Sequence, residues 1–339
     1  MARPRSQPER ALDDRDFALL EALQVAPRAP WELLGRALGI GARTARRRWE
    51  ELREHGHAAI SCTPGRVIDG AYVDLDCDRD RSEEVAHALA RIPDVASVEL
   101  ISGGHDVQAL LHSSSLARLR EVLISEIART PGVLRQRSAI ITNIFRLGAE
   151  WRIGLLTAPQ LALLAPARVL VRPSAPVPAS AHALRAPLLE LLTEDGRMTV
   201  AHLAARTGVA EASVRRALLA LLVSGHLVLR CHVSGYAVGR PMSAVLRLTA
   251  PADQLTATAQ AISALNVTRV CVGLAGGPSN LQAGFWLRRP ADLIALEETI
   301  TSRTPAVVTD RAVTLRTIKR MGHLIDADDR IIGSMPLPV

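Results

Sequence analysis

Lysine is nearly absent from this 339-residue chain: Lys319 is the only one, and every other basic side chain is arginine. GC-rich codon usage produces the same bias, so arginine content by itself says nothing and only arginine placement carries meaning. The four cysteines, Cys62, Cys77, Cys231 and Cys271, form no C-x-x-C pair. That excludes zinc-ribbon spacing and predicts small buried thiols in a reducing compartment. The opening MARPRSQPER has no apolar core, so no signal peptide is expected. The most apolar long run, Leu155 to Val171, is broken by Pro159, Pro166 and Arg168, which speaks against a membrane span and for a cytoplasmic protein. Gly-x-Ser-x-Gly, a Walker loop and H-E-x-x-H are all missing. The only tyrosines are Tyr72 and Tyr236, with no visible His–Arg–Tyr cluster, and the histidines do not fall at ligand spacing. No catalytic set, metal or cofactor is therefore expected.

What is present is a 48% apolar fraction, enough for real cores, and a net charge of +7 from 41 basic and 34 acidic residues. That balance favours an acidic partner such as nucleic acid, though only mildly. The strongest single stretch is Gly39 to Gly56, GIGARTARRRWEELREHG. At helical period Ala45, Trp49 and Leu52 form an apolar stripe, while Arg43, Arg46 and Arg47 share another face with Arg48 at its border. Gly39 and Gly41 interrupt the preceding helix and Gly56 supplies a stop. A short helix, a glycine turn and a second helix with a basic face describe a helix-turn-helix whose second helix enters a DNA major groove. Arg43, Thr44, Arg46 and Arg47 are the expected groove residues. Arg48 is a further candidate, with the competing structural role of pairing with Glu51 or Glu21.

The rest of the chain divides around that motif. Residues 1–11 form a polar arm. Residues 12–60 form the first helix-turn-helix domain, with Asp13 capping its first helix, Pro27 ending it and Pro30 opening the second. Residues 66–147 read strand-helix-strand, strand-helix-strand, the ferredoxin-like βαββαβ order. Its helices cover one sheet face, and the other face needs a partner or a second domain. Residues 148–183 hold a short helix and a Pro/Ala-rich linker. The pattern then recurs. Gly39-Ile40 is answered by Gly208-Val209, Arg28 by Arg197, Leu34 by Leu203, Arg46-Arg47 by Arg215-Arg216 and Gly56-His57 by Gly225-His226, always at one spacing. Gly103-Gly104 is answered by Gly276-Gly277 and Thr130-Pro131 by Thr304-Pro305 at a spacing a few residues longer. Residues 184–232 form a second helix-turn-helix, 240–322 a second βαββαβ domain and 323–339 a tail. The second recognition helix keeps Ser213, Arg215 and Arg216, but Ala212 and Ala217 replace Arg43 and Arg48. It should hold DNA less strongly. The fold class is α+β, two winged-helix or helix-turn-helix domains alternating with two ferredoxin-like domains.

These residues resemble the Lrp/AsnC family of transcription regulators. The resemblance is carried by LDDRDFALLEALQVAPR, by GARTARRRWEELREHG with Arg48, Leu52 and Gly56 in the family's Arg-x-x-x-Leu-x-x-x-Gly run, by the Gly103–Asp106 turn and by TPGVLRQRSAIITNIFR. It implies a regulator whose helical domains bind operator double-stranded DNA. It also implies RAM-type βαββαβ domains that pair through their sheets and bind an amino acid or related effector. Relatives of this kind carry one copy and dimerise; here two halves of one chain would form the pseudo-dimer, with further homo-oligomerisation expected. The effector residues implied are Gly103, Gly104 and Asp106, and in the second copy Gly276, Gly277 and Asn280, where Asn280 falls one residue late. The bare glycines would admit a carboxylate to backbone N–H groups and Asp106 would take an ammonium; the other reading is a plain hairpin turn. Gly41 stands where the family often has a capping Ser. Two rival readings are a sirohaem-decarboxylase-like enzyme on the same architecture and a partner protein that binds no DNA. No membrane partner is implied.

Overall fold

The computed structural model describes residues 11–65, 69–172 and 174–338. The expected arm, save Ala11, and the start of the first expected strand of the βαββαβ unit lie outside them. The first helical unit is α1 (Asp14–Val25), α2 (Trp31–Leu38) and α3 (Ala42–Glu54). Asp13 caps α1 through a reciprocal bond pair with Asp16, as its position predicts. Pro30 stands one residue before α2 rather than inside it. Gly39 takes the left-handed conformation at the turn, φ +66°.

Strand β1 (Ala58–Pro64) leads into the first βαββαβ unit: β2 (Asp69–Cys77), α4 (Ser82–Ala90), β3 (Val95–Ile101), β4 (Val107–Ser113), α5 (Leu116–Glu121) continued by a π-helical turn at Val122–Ile127, and β5 (Val133–Arg146). Ser82 is inside the first turn of α4, and Arg81 precedes it without a side-chain cap. The connection carries α6 (Ala158–Leu164) and α7 (Ala179–Ala183), so the expected linker is partly helical. The same order then repeats as α8 (Arg185–Glu194), α9 (Val200–Thr207), α10 (Glu211–Val223), β6 (Leu227–Val233), β7 (Met242–Thr249), α11 (Leu255–Ser263), β8 (Thr268–Ala275), β9 (Leu281–Leu287), α12 (Asp292–Arg303) and β10 (Val307–Arg320). The expected tail instead forms β11 (His323–Ile325) and β12 (Ile331–Ser334), which extend the sheet from β10. No helix among the described residues is long and apolar enough to cross a membrane.

Two features depart from a simple alternation of domains. First, among the described residues neither helical unit has a wing hairpin of its own. The single strands β1 and β6 pair antiparallel across the units, Ala58 opposite Val233 and Pro64 opposite Leu227. One strand alone would leave its backbone groups unpaired, and the other unit's strand satisfies them. The hydrophobic cores follow the ribbon: Val233 of β6 enters the core of α1–α3, and Cys62 of β1 enters that of α8–α10. Arg28 donates to the carbonyls of Gly196 (2.6 Å) and Met198 (2.7 Å), and Arg197 donates to Pro27 (2.6 Å) and Ala29 (2.8 Å). These reciprocal clamps fix one helical unit against the other.

Second, the two sheets do not merely face each other; they close into one barrel. The ring runs β10-β3-β4-β2-β5-β8-β9-β7 and returns to β10. Closure follows from the length of β5 and β10, 14 residues each. The first part of β5 pairs with β2 and its end, from Ile140, with β8. In the same way β10 pairs first with β7 and from Thr314 with β3. No ring strand is left as an open edge. Period-two alternation sorts the side chains. Ala71, Val73 and Leu75 of β2 and Val107, Ala109 and Leu111 of β4 pack under α4 and α5. Tyr72, Asp74, Gln108, Leu110 and His112 fall on the other face by alternation, turned toward the opposing sheet.

Candidate nucleic-acid interface and ligand sites

In α3 the buried Ala45, Trp49 and Leu52 hold the helix against α1 and α2. This leaves Arg43, Arg46 and Arg47 exposed, with Thr44 half-buried beside them. Arg46 meets Glu50 at 2.8 Å and Arg47 meets Glu51, both one turn on. Such exposed pairs are weak, about 0.3–0.5 kcal/mol, and yield readily to a phosphate or a guanine edge. Arg48 does not join this face. Its guanidinium donates to Asp13 (3.0 Å) and to the buried Asp16 (2.7 Å), tying α3 to the start of α1. The structural role expected for it is therefore the one found, with Asp13 and Asp16 in place of Glu51 or Glu21. Glu21 accepts instead from the backbone of Leu156 at 3.0 Å.

On α10 Arg215 and Arg216 are exposed and Ser213 is half-buried, with the apolar Leu219 also on the surface. Because the β1–β6 ribbon and the Arg28/Arg197 clamps connect the two units, α3 and α10 are held in one fixed arrangement, one arginine-rich and one sparse.

The glycine turns lie at the seams of the barrel. Gly103 has φ +107° and Gly276 φ +118°. A Cβ on Gly103 would come within 2.8 Å of the Arg311 carbonyl, and one on Gly276 within 2.8 Å of the Ser138 carbonyl. Each turn thus lies against the long last strand of the other half. Asp106 accepts from the Cys77 N–H at 2.7 Å, and Asn280 accepts from the Ala250 N–H at 3.0 Å. Their backbone N–H groups donate to Leu75 and Leu248 at the ends of β2 and β7. Asn280, one residue late in sequence, therefore does the work of Asp106 in a loop one residue longer. One Asp106 oxygen is committed to this bond. Gly104 and Gly277 face open space. Gly276→Val is expected to destabilise the fold by about 1–3 kcal/mol through strained φ and the Ser138 contact, read as a lowered midpoint in urea unfolding.

A cavity of about 180 Å³ lies between β6 and the inner faces of both sheets. Tyr72, His112, Arg230, His232, Arg269 and Arg320 all line it, so the His–Arg–Tyr set missing from the linear sequence is assembled by the fold. Trp286 and Trp151 meet edge-to-face at 4.9 Å at its wall, and the Arg269 guanidinium lies 3.8 Å over the Trp286 ring. His232 packs on His323 at 4.3 Å, and His323 Nε2 is 2.8 Å from Ser61 Oγ. Burial pushes His112 and His323 down to about 4 and His232 well below its ordinary value, so all three are neutral at pH 7. Burial likewise lowers Arg269 to about 9 and Arg230 to about 10. Among the described residues no group of three or more His, Cys, Asp or Glu side chains is placed to hold a metal.

Comparison with known proteins places this architecture. Residues 12–53 match the AsnC-type helix-turn-helix domain and residues 70–148 the Lrp/AsnC ligand binding domain. The first half of the chain thus carries both domains of the Lrp/AsnC type. An HTH-type transcriptional regulator of Pyrococcus furiosus is 25% identical over 142 residues, spanning 40% of this chain and 96% of the relative. The regulator LrpA of Pyrococcus horikoshii is 27% identical over 135 residues, 38% of this chain and 96% of its own. Across both halves, this chain superposes on the siroheme decarboxylase NirDL, solved in co-complex with an iron-uroporphyrin III analogue. The TM-score is 0.58 at 16% identity, covering 91% of this chain and 93% of NirDL. That likeness establishes the fold across both halves.

Proposed function

We propose that the chain is a sequence-specific DNA-binding transcriptional regulator, modulated by a small-molecule effector bound at its βαββαβ domains. One observation carries this reading: the exposed Arg43, Arg46 and Arg47 face of α3, set on a domain of AsnC type and held at a fixed offset from α10. The repeated element order supports a tandem duplication in which one chain supplies both halves of a dimer. Single-copy relatives would need two chains for this arrangement. The pair is unequal, and its operator should have unequal half-sites. Replacing Arg215 and Arg216 together by Ala is expected to weaken binding by less than the matching change in α3, roughly 1 kcal/mol against several. A gel shift and footprint on the DNA upstream of the chain's own gene test the whole reading. A footprint with two equal half-sites, or no complex at low salt, would contradict it.

The buried arginines and histidines of the cavity favour a second reading, a tetrapyrrole enzyme like the structural neighbour. Size weighs against it. About 180 Å³ is below the ~300–1,000 Å³ typical of sites for drug-sized ligands, and a tetrapyrrole with its carboxylate arms is larger still. The sequence relatives are regulators, which supports reading the chain as one that catalyses no reaction. A Soret-band titration with iron uroporphyrin separates the two: a shifted band together with failure to bind DNA would favour the enzyme.

A further inference from the structure

The cavity holds more positive charge than its own residues answer. Arg320 is matched by Asp329 at 2.9 Å. Arg230 donates from Nε only to the Thr63 hydroxyl, at 3.0 Å. Arg269 has no hydrogen-bonded or ion-paired partner among the described residues, and its Nε is buried and unsatisfied. Among the described residues Glu99 is the single acid lining the cavity; its Oε2 accepts from Thr314 at 3.0 Å, and with Asp329 it supplies the negative charge that reaches Arg269. Two neutral groups are similarly idle. Nδ1 of the buried His112 and Oε1 of the buried Gln282 have no partner. Burying a cation and several polar atoms without partners is unfavourable unless something else satisfies them. The remaining wall is apolar, with Leu110, Ile141, Val245 and Val270 beside the two tryptophans.

We propose that this cavity is the effector site, and that it takes a small organic acid with an apolar, planar body and no free ammonium group. The carboxylate answers Arg269 and Arg230. The body lies along Trp286 and the aliphatic side chains. An ammonium would meet Arg230, Arg269 and Arg320 with Glu99 alone to oppose them. The site is distinct from the glycine turns, where one Asp106 oxygen and the Asn280 amide are held by Cys77 and Ala250 of their own halves. This assignment rests on the effector reading above and narrows its ligand from amino acids to plain carboxylic acids.

Two probes differ only in the ammonium: 3-phenylpropanoate and L-phenylalanine. Each is titrated into the full chain, followed by calorimetry and by tryptophan fluorescence, since Trp151 and Trp286 report from the cavity wall. 3-Phenylpropanoate is expected to bind and to change the fluorescence, with phenylalanine weaker by at least about tenfold. Arg269→Gln should weaken 3-phenylpropanoate by at least about tenfold with little change in the thermal midpoint, because the desolvation cost of a buried cation without a hydrogen-bonded or ion-paired partner is removed along with its stacking on Trp286. A Trp286→Phe chain should still bind with a smaller fluorescence change. No binding of 3-phenylpropanoate, equal or tighter binding of phenylalanine, or an unchanged affinity in Arg269→Gln would each overturn the proposal. The titration contains no DNA, so its failure leaves operator binding untouched, and a failed gel shift leaves the titration standing.

Discussion

Replacing Arg46 and Arg47 together by Ala is expected to weaken operator binding by roughly 2–6 kcal/mol, the sum of two arginines at about 1–3 kcal/mol each for bidentate contacts to guanine. Where an arginine meets phosphate instead, the loss is uniform across sequences, and the slope of log K against log salt falls by about 0.9 per contact. Measuring affinity at several salt concentrations on specific and random DNA therefore separates the two roles. Folding should be nearly unaffected. Both side chains are more than 60% exposed and have only the weak one-turn pairs with Glu50 and Glu51. An unchanged affinity and slope would remove α3 as the reader. Arg48 is the contrasting control: its substitution acts on stability through Asp16, because its guanidinium lies against α1 and away from the groove face.

That contrast shows how far the sequence can be read. Helical period and caps locate α1, α2 and α3 because those signals are local: Asp13 with Asp16, Gly39 at positive φ, and an apolar stripe every turn. The βαββαβ order is legible for the same reason. Barrel closure is not, because it depends on which strand the far ends of β5 and β10 meet, a choice between partners distant in sequence. The β1–β6 ribbon is hidden likewise. The cavity was the least legible of all, since Tyr72, His112, Arg230, His232, Arg269 and Arg320 come from five strands in both halves. One signal was available. Along β2, β4 and β9 the positions facing away from the helices hold Tyr72, Asp74, Gln108, His112, Gln282 and Trp286. A solvent-facing sheet rarely carries bulky aromatics among its polar residues, and that mixture marks an enclosed polar interior. The tail was misjudged because strands as short as β11 and β12 leave almost no periodic signature.

Arg247→Met is expected to destabilise the chain by about 3–5 kcal/mol, the usual result of removing one partner of a buried ion pair. Arg247 meets Asp74 at 2.6 Å in the barrel interior, where both side chains are largely inaccessible. The two residues hold corresponding places in the two sheets: Asp74 lies opposite Gln108 on β4, and Arg247 opposite Gln282 on β9. The glutamines themselves meet at 3.3 Å, and Gln108 Nε2 also donates to Asp74 at 2.9 Å. In a barrel of two identical halves this site would hold two aspartates or two arginines facing each other, a repulsive arrangement in a low-dielectric interior. The halves are instead complementary at this site, the first half's Asp74 suited to the second half's Arg247 and not to a copy of itself. This gives a physical reason for the two halves to differ in sequence, and it matches the unequal arginine content of α3 and α10. Asp74→Asn combined with Arg247→Met should recover most of the lost stability, since no buried charge is left alone. Urea unfolding of the two single variants and the double variant measures the coupling directly. Strictly additive losses would show that the pair does not join the two halves.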